Sequence, residues 1–160
     1  MRKFTLVLGN RNYSSWSLRA WLALAQTGLA FELTVIPLDR PDTATAIARY
    51  SPTGRVPVLL DGELTVWDSL AIGEYLAERA PGAGLWPADP AARAVARSVV
   101  AEMHSGFGTL RMQLLMNVRG HTPRTPDAAG QRELDRLLSL WRDARTRFGD
   151  GGPFLFGAFP

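Results

Sequence analysis

The chain has 160 residues, of which 46% are hydrophobic, so it can bury a core and form one or two small domains. Its formal net charge is +3 at pH 7, and 18 Lys and Arg side chains are spread among 15 Asp and Glu, which argues against a nucleic-acid-binding surface. Cysteine is absent, which excludes a disulfide, a cysteine metal site and a Cys-x-x-Cys redox pair.

The first eighty residues alternate between strand-like and helix-like patterns. The predicted elements are, in chain order, a strand at 4–8, a helix at 15–27, a strand at 31–36, a short helix at 43–49, strands at 57–60 and 63–66, and a helix at 68–80. The short Asp61-Gly62 link between the last two strands predicts an antiparallel hairpin. The alternation elsewhere predicts a partly parallel sheet covered by helices, so this half belongs to the α/β class.

A segment rich in proline and glycine, 81–90, follows the last of these helices and breaks both periodicities, so we interpret it as a domain linker. Beyond it, apolar residues recur every three to four positions and predict two long helices, at 91–119 and 127–148. The sequence therefore predicts an α/β domain at 1–80, the linker, and a helical domain at 91–160.

A hydroxyl-rich turn joins the first predicted strand to the first predicted helix. Positions 13–19 read Tyr-Ser-Ser-Trp-Ser-Leu-Arg. The first N–H groups of a helix point outward without a partner in the helix, so such a turn can bind an anion. Helix capping alone would explain one of the serines Ser14, Ser15 and Ser17, and both roles stay open at this point.

Two further motifs follow the serine turn. Positions 55–60 read Arg-Val-Pro-Val-Leu-Leu, and positions 67–72 read Trp-Asp-Ser-Leu-Ala-Ile at the start of a predicted helix. A serine turn, a Val-Pro pair and an Asp-Ser pair in this order resemble the N-terminal domain of the glutathione S-transferases. The Ser-Ser-x-Ser-x-Arg pattern is most similar to the zeta class, the maleylacetoacetate isomerase-like branch, and to its bacterial relatives. The resemblance covers residues 1–160, and Trp16 stands where the zeta class commonly has a cysteine.

The resemblance implies a fold. It predicts a thioredoxin-like N-terminal domain with the order βαβαββα and a mixed four-stranded sheet, followed by an all-α C-terminal domain. In the family, the apolar segment 153–160 leads into further helices, so we expect this helical domain to be incomplete and the chain to be truncated and stabilised by self-association. Because the chain has no cysteine, any reactive thiol must come with the ligand.

The resemblance also implies which residues bind glutathione. Ser14 aligns with the family's catalytic serine, which donates a hydrogen bond to the sulfur, and Ser15 is the second choice and a glutathione contact. Val56, ahead of an expected cis-proline, would hold the cysteinyl part through its backbone. Asp68 would receive the γ-glutamyl ammonium, and Ser69 the γ-glutamyl carboxylate. Without the resemblance, a strand-opening proline and an Asp helix cap are ordinary structural alternatives.

The pocket for a second substrate lies between the two domains in the family, against the first long helix. His104, Phe107 and Arg111 fall on one face of that predicted helix, and Arg111 could attract an acidic substrate. A lone His or Arg on a helix more often has a structural role, so His104 and Arg111 each have a structural alternative. His104 and His121 have no carboxylate cluster at ligand spacing, so no metal site is expected.

The resemblance therefore implies a glutathione transferase that activates the thiolate with a serine hydroxyl for attack on a small electrophile. Two alternatives stay open: a non-catalytic interaction module or inactive fragment, and a zeta-type glutathione-dependent cis-trans isomerase. The expected partners are glutathione, the electrophile and a second copy in a homodimer, without metal, nucleic acid or membrane. The apolar stretches are far shorter than the ~20 residues of a membrane span, and the start of the chain lacks a secretory apolar segment, so we expect a cytoplasmic location.

Overall fold

The computed structural model describes residues 3–158. The chain forms two compact units, and the boundary between them lies between Leu85 and Trp86. That boundary falls within the segment 81–90, which also contains a short 3₁₀ turn at Pro81–Ala83. The domain bounds derived from the sequence stay a prediction.

The first unit is an α/β domain. Its elements are β1 (Phe4–Leu8), α1 (Ser15–Gln26), β2 (Phe31–Val35), α2 (Thr43–Ala48), β3 (Val58–Asp61), β4 (Leu64–Trp67) and α3 (Ser69–Arg79). β1 pairs with β2 in parallel, β3 pairs antiparallel with both β1 and β4, and the strand order is β2-β1-β3-β4. This is the mixed sheet and βαβαββα order of a thioredoxin-like domain, so the fold prediction for this half is confirmed.

The sheet has a buried core on each face, because successive side chains of a strand point to opposite faces. On one face, Leu6 and Leu8 of β1 pack with Leu24 of α1 and Ile72 of α3. On the other face, Val7 packs with residues of β3 and α2. The three β1 residues are fully buried. Helices α1 and α3 are thus held against the same face of the sheet.

The second unit contains three helices in its described part, separated by segments without regular structure. Its helices are α4 (Pro90–Ser105), α5 (Gly108–Gln113) and α6 (Ala128–Phe148). Phe107, Leu110 and Leu137 form its buried centre. Among the helices described between residues 3 and 158, none is both long and apolar enough to cross a membrane.

The predicted single helix at 91–119 is wrong, because the chain leaves helical geometry at Gly106 and Phe107. Gly106 is extended (φ −106°, ψ −166°), and Phe107 has a left-handed backbone (φ 58°, ψ 33°). Helical structure resumes in α5 and stops at Gln113. The apolar spacing continues across the break because α4 and α5 contribute side chains to the same core against α6, so periodicity alone could not reveal the break.

Helix α5 receives its N-terminal cap from another helix. The carboxylate of Glu133, on α6, accepts hydrogen bonds from the N–H groups of Thr109 (3.4 Å) and Leu110 (2.7 Å). Glu133→Ala is expected to lower the free energy of unfolding by about 1–2 kcal/mol, because both amides lose this acceptor. Urea unfolding measures the change. The exposed Glu78→Ala is the matched control and should change stability by less than about 0.5 kcal/mol, so equal effects of the two variants would contradict the cap.

Helices α4 and α6 are joined by an ion pair. The Arg136 guanidinium donates two hydrogen bonds to the Glu102 carboxylate, at 2.7 and 2.9 Å. These hydrogen bonds lower the pKa of Glu102 and raise the pKa of Arg136. Both side chains are more than a third exposed, so solvent screens the pair and its contribution to stability is small.

Candidate functional site

Three segments of the first unit meet at one edge of the sheet. Val7 of β1 pairs with Val58 of β3, and Val58 pairs with Trp67 of β4, so these residues form one row across the sheet. β1 ends just beyond this row, β3 begins at it, and β4 ends at it. The turn after β1, the residues before β3 and the start of α3 therefore lie at the same edge.

The turn after β1 is capped by Ser14. Its backbone is extended (φ −92°, ψ 98°), and its Oγ accepts a hydrogen bond from the N–H of Ser17 at 3.3 Å. The N–H of Ser14 donates to the carbonyl oxygen of Asn10 at 2.8 Å and closes the turn. Ser14 is thus the structural cap of α1, and its hydroxyl lies at the positive end of that helix.

The serine hydroxyls differ in their partners. Ser14 Oγ donates to Ser17 Oγ at 3.0 Å, and Ser17 Oγ also accepts from the N–H of Gly9 at 3.0 Å. Ser17 is fully buried, so it connects the end of β1 to the start of α1. Ser15, the first residue of α1, is partly buried, and its hydroxyl makes no hydrogen bond within the described part of the chain.

Two arginine–tryptophan contacts involve the segment that carries the serines. The Arg19 guanidinium lies 4.4 Å from the centre of the Trp16 ring, and the Arg11 guanidinium lies 4.5 Å from that of Trp21. These contacts hold two positive charges on the segment 11–19.

The segment before β3 presents an unpaired piece of backbone. The peptide bond between Val56 and Pro57 is cis, as the family resemblance implied. The N–H and C=O of Val56 make no hydrogen bond to any other residue between 3 and 158. An extended ligand can therefore pair with this residue as an added strand would.

The start of α3 combines a cap with an unusual backbone. Asp68 caps the helix through its carboxylate, which accepts from the N–H of Leu70 at 2.8 Å. Its backbone lies at φ 75° and ψ 134°, a region that residues other than glycine rarely adopt. Ser69, the first residue of α3, is buried, and its hydroxyl makes no hydrogen bond within residues 3–158. Asp68 and Ser69 thus bring a carboxylate, a hydroxyl and the first helix amides to the edge.

The residues expected to line a second-substrate pocket do not share one helix face. His104 is partly buried near the end of α4, whereas Phe107 and Arg111 lie at and beyond the helix break. Phe107 fills the core of the second unit, and the Arg111 guanidinium donates to the carbonyl oxygen of Met103 at 2.6 Å. The prediction that the three residues share one helix face is wrong, because the helix breaks at Gly106 and Phe107. The structural alternative fits Arg111. In residues 3–158, no group of three His, Asp or Glu could hold a metal ion.

Sequence reasoning missed one buried polar residue close to the site. Ser51 is 6% exposed, and its Oγ accepts hydrogen bonds from the N–H groups of Thr53 (3.3 Å) and Arg55 (3.1 Å). The Ser51-Pro52 pair is a turn signal, but nothing in that signal predicts a buried hydroxyl that holds the residue before Val56.

Comparison with known proteins agrees with this geometry. Residues 13–79 match the family described as glutathione S-transferase, N-terminal domain. The chain is 33% identical over 147 residues to a glutathione S-transferase of Arabidopsis thaliana, a match covering 86% of this chain and 57% of the relative. It is 30% identical over 136 residues to the maleylacetoacetate isomerase of Rattus norvegicus, covering 80% of this chain and 62% of the relative.

Solved structures give the same result. A glutathione transferase homolog from Burkholderia, with bound glutathione, superposes with a TM-score of 0.72 at 28% identity, over 99% of this chain and 73% of that chain. The chain belongs to the glutathione S-transferase family. Within the family it is close to the zeta class, which confirms the resemblance found from the motifs. It spans 57% and 62% of the length of the two curated relatives.

Proposed function

We propose that this protein is a glutathione transferase, in which a serine hydroxyl stabilises the glutathione thiolate for attack on a small electrophile. One observation carries the proposal: the serine turn, Val56 and the Asp68-Ser69 start of α3 lie at a single sheet edge. Each of the three offers groups that match a different part of the glutathione molecule. Membership of the family and the glutathione-bound Burkholderia homolog support the same ligand.

Val56 would hold the cysteinyl part of glutathione. Its N–H and C=O face no partner within residues 3–158, and they match the C=O and N–H of an extended peptide. At the start of α3, Asp68 would receive the γ-glutamyl ammonium. The Ser69 hydroxyl and the helix amides would receive the neighbouring carboxylate. Both charges of one amino-acid group are then matched.

Ser14 is our first choice for the hydroxyl that donates to the thiolate, and Ser15 is the second. Ser14 Oγ is fixed at the positive end of α1 by the N–H of Ser17. Its proton points to Ser17 Oγ in this structure, but a hydroxyl can rotate, and Ser17 can supply the proton of that shared hydrogen bond instead. The Ser15 hydroxyl has no hydrogen-bond partner among the described residues, so it is available to donate to the thiolate.

The reaction needs no covalent bond to the protein. The glutathione thiol loses its proton to water, and the thiolate is stabilised by the serine hydroxyl and the start of α1. The sulfur lone pair then forms a bond to an electrophilic carbon. The displaced electrons leave with a leaving group, or collect on the neighbouring atom of a double bond, which takes up a proton. Serine acts throughout as a hydrogen-bond donor and not as a nucleophile.

A glutathione-dependent cis-trans isomerase is the second candidate, because the chain resembles maleylacetoacetate isomerases as well as transferases. In that reaction the thiolate adds to a double bond and leaves again, so glutathione is not consumed. Trp16, in place of the cysteine common in the zeta class, favours the transferase. Loss of free thiol during turnover supports the transferase, whereas isomerisation of a cis-dienoic acid at constant thiol supports the isomerase.

We further propose a cytoplasmic homodimer, as is usual for the family. A non-catalytic interaction module is the rival from outside the enzymes. Three groups lie intact at one edge: Ser14, Val56 and the Asp68-Ser69 pair. This favours the enzyme, because a scaffold has no use for three groups matched to one small ligand.

Calorimetric titration of the chain with glutathione tests the proposal. We expect binding with release of a proton, seen as a heat that depends on the ionisation enthalpy of the buffer. S-methylglutathione, which has no ionisable thiol, should bind without proton release. Binding of glutathione without proton release would contradict thiolate activation. A folded chain that binds neither ligand would overturn the proposal and favour the interaction module or inactive fragment.

A further inference from the structure

We propose that Ser51 is a positioning residue for glutathione, which acts by fixing the backbone of Val56. This inference rests on the proposed function, because it concerns the same ligand. Val56 itself makes no hydrogen bond within residues 3–158, so its orientation depends on the residues that flank it. A pair of backbone groups binds tightly only if it is held ready before the ligand arrives.

The residues after Val56 are held by the sheet. Pro57 is buried, and Val58 pairs with Val7 of β1 at the start of β3. This side of Val56 is therefore fixed by the core of the domain. The residues before it are exposed, from Pro52 to Arg55, and belong to no helix or strand.

Ser51 fixes the exposed side. Its N–H donates to the carbonyl oxygen of Ile47 at 2.9 Å, which anchors it to the end of α2. Its Oγ accepts from the N–H of Arg55 at 3.1 Å and from the N–H of Thr53 at 3.3 Å. A buried hydroxyl thus holds the residue directly before Val56, and the turn closes through Gly54, whose φ of 67° suits glycine.

Val56 is consequently clamped between two fixed neighbours, Arg55 on one side and Pro57 on the other. Removal of the Ser51 hydroxyl frees Arg55, and the peptide groups of Val56 then lose orientation. Glutathione must then fix the orientation of these peptide groups when it binds, so the affinity of the protein for glutathione falls. The thiolate lies against the serine turn instead, so its stabilisation does not depend on Ser51.

The test compares Ser51→Ala and Ser51→Cys with the original chain by calorimetric titration with glutathione. A thiol is a weak acceptor, so the cysteine variant fills the space but does not hold Arg55. We expect both variants to weaken glutathione binding about threefold to tenfold, with the pKa of the bound thiol unchanged. Ser51→Thr, which keeps the hydroxyl, should restore affinity. Ser98→Ala, at an exposed position of α4, is the control for serine removal and should bind glutathione like the original chain.

A second ligand separates positioning from a general loss of structure. In γ-glutamyl-N-methylcysteinylglycine, the cysteinyl N–H that would donate to Val56 is absent. If Ser51 acts through Val56, removal of the Ser51 hydroxyl should lower the affinity for this analogue less than it lowers the affinity for glutathione. Equal losses of affinity for the two ligands, or unchanged glutathione binding in both Ser51→Ala and Ser51→Cys, would overturn this inference but leave the proposed function intact. Absence of glutathione binding by the original folded chain would instead overturn the proposed function, and this inference with it.

Discussion

Ser14→Ala is expected to lower kcat/KM for conjugation of glutathione to an aryl halide by about 10²- to 10³-fold. A hydrogen-bond donor aimed at a developing or resident anion typically contributes this much. Without the Ser14 hydroxyl, the bound thiol should have a higher pKa, so less thiolate is present at neutral pH. The affinity for S-methylglutathione should change little, because the other contacts of the ligand are made at Val56 and α3. Steady-state kinetics and ultraviolet titration of the bound thiolate measure the two effects.

The same substitution removes the N-cap of α1, so its effect on stability must be separated from its effect on chemistry. Loss of a serine cap costs about 1 kcal/mol, and unfolding measurements report this directly. Ser14→Thr keeps both hydroxyl and cap and should retain most activity. Ser98→Ala, at an exposed position of α4, is the control for serine removal. Loss of thiolate in Ser15→Ala, with Ser14→Ala unaffected, would transfer the role to Ser15.

The fold of the first unit could be predicted because local patterns and tertiary packing agree there. The predicted strand at 4–8 and the predicted helix at 15–27 differ from β1 and α1 by at most one residue. The link at Asp61 and Gly62 forms the expected tight connection between β3 and β4. In the second unit, the helix predicted at 127–148 agrees with α6 to within one residue. The prediction of one helix at 91–119 was wrong because apolar spacing carries no signal for a residue with a left-handed backbone, such as Phe107.

The site could be predicted only as a set of motifs. The order of the motifs indicated the family, and the hydroxyl-rich turn at a helix start predicted a candidate anion site. The row of Val7, Val58 and Trp67, which brings the motifs to one edge, is a property of strand register that no single segment encodes. The positive φ of Asp68 and the buried hydroxyl of Ser51 arise from long-range packing, so short-range sequence signals could not show them.

Ser69→Ala is expected to weaken glutathione binding about tenfold to a hundredfold. A hydrogen bond to a charged group contributes about 1.5–3 kcal/mol, and each 1.4 kcal/mol changes affinity tenfold. The Ser69 hydroxyl makes no hydrogen bond within residues 3–158, and the helix keeps its Asp68 cap, so stability should change little. At saturating glutathione, kcat and the pKa of the bound thiol should equal those of the original chain. Calorimetric titration and steady-state kinetics measure these quantities.

A comparison of two ligands shows whether Ser69 acts on the γ-glutamyl carboxylate. In 4-aminobutanoyl-cysteinylglycine a hydrogen replaces that carboxylate, and the ammonium stays on the same carbon. Ser69→Ala should bind this analogue as the original chain does, because the group that Ser69 contacts is missing from the ligand. Asp68→Asn is the complementary variant: asparagine caps a helix and tolerates positive φ, but it lacks the charge that attracts the ammonium. An equal loss of affinity for both ligands in Ser69→Ala would mean that Ser69 shapes the start of α3 instead of contacting the carboxylate.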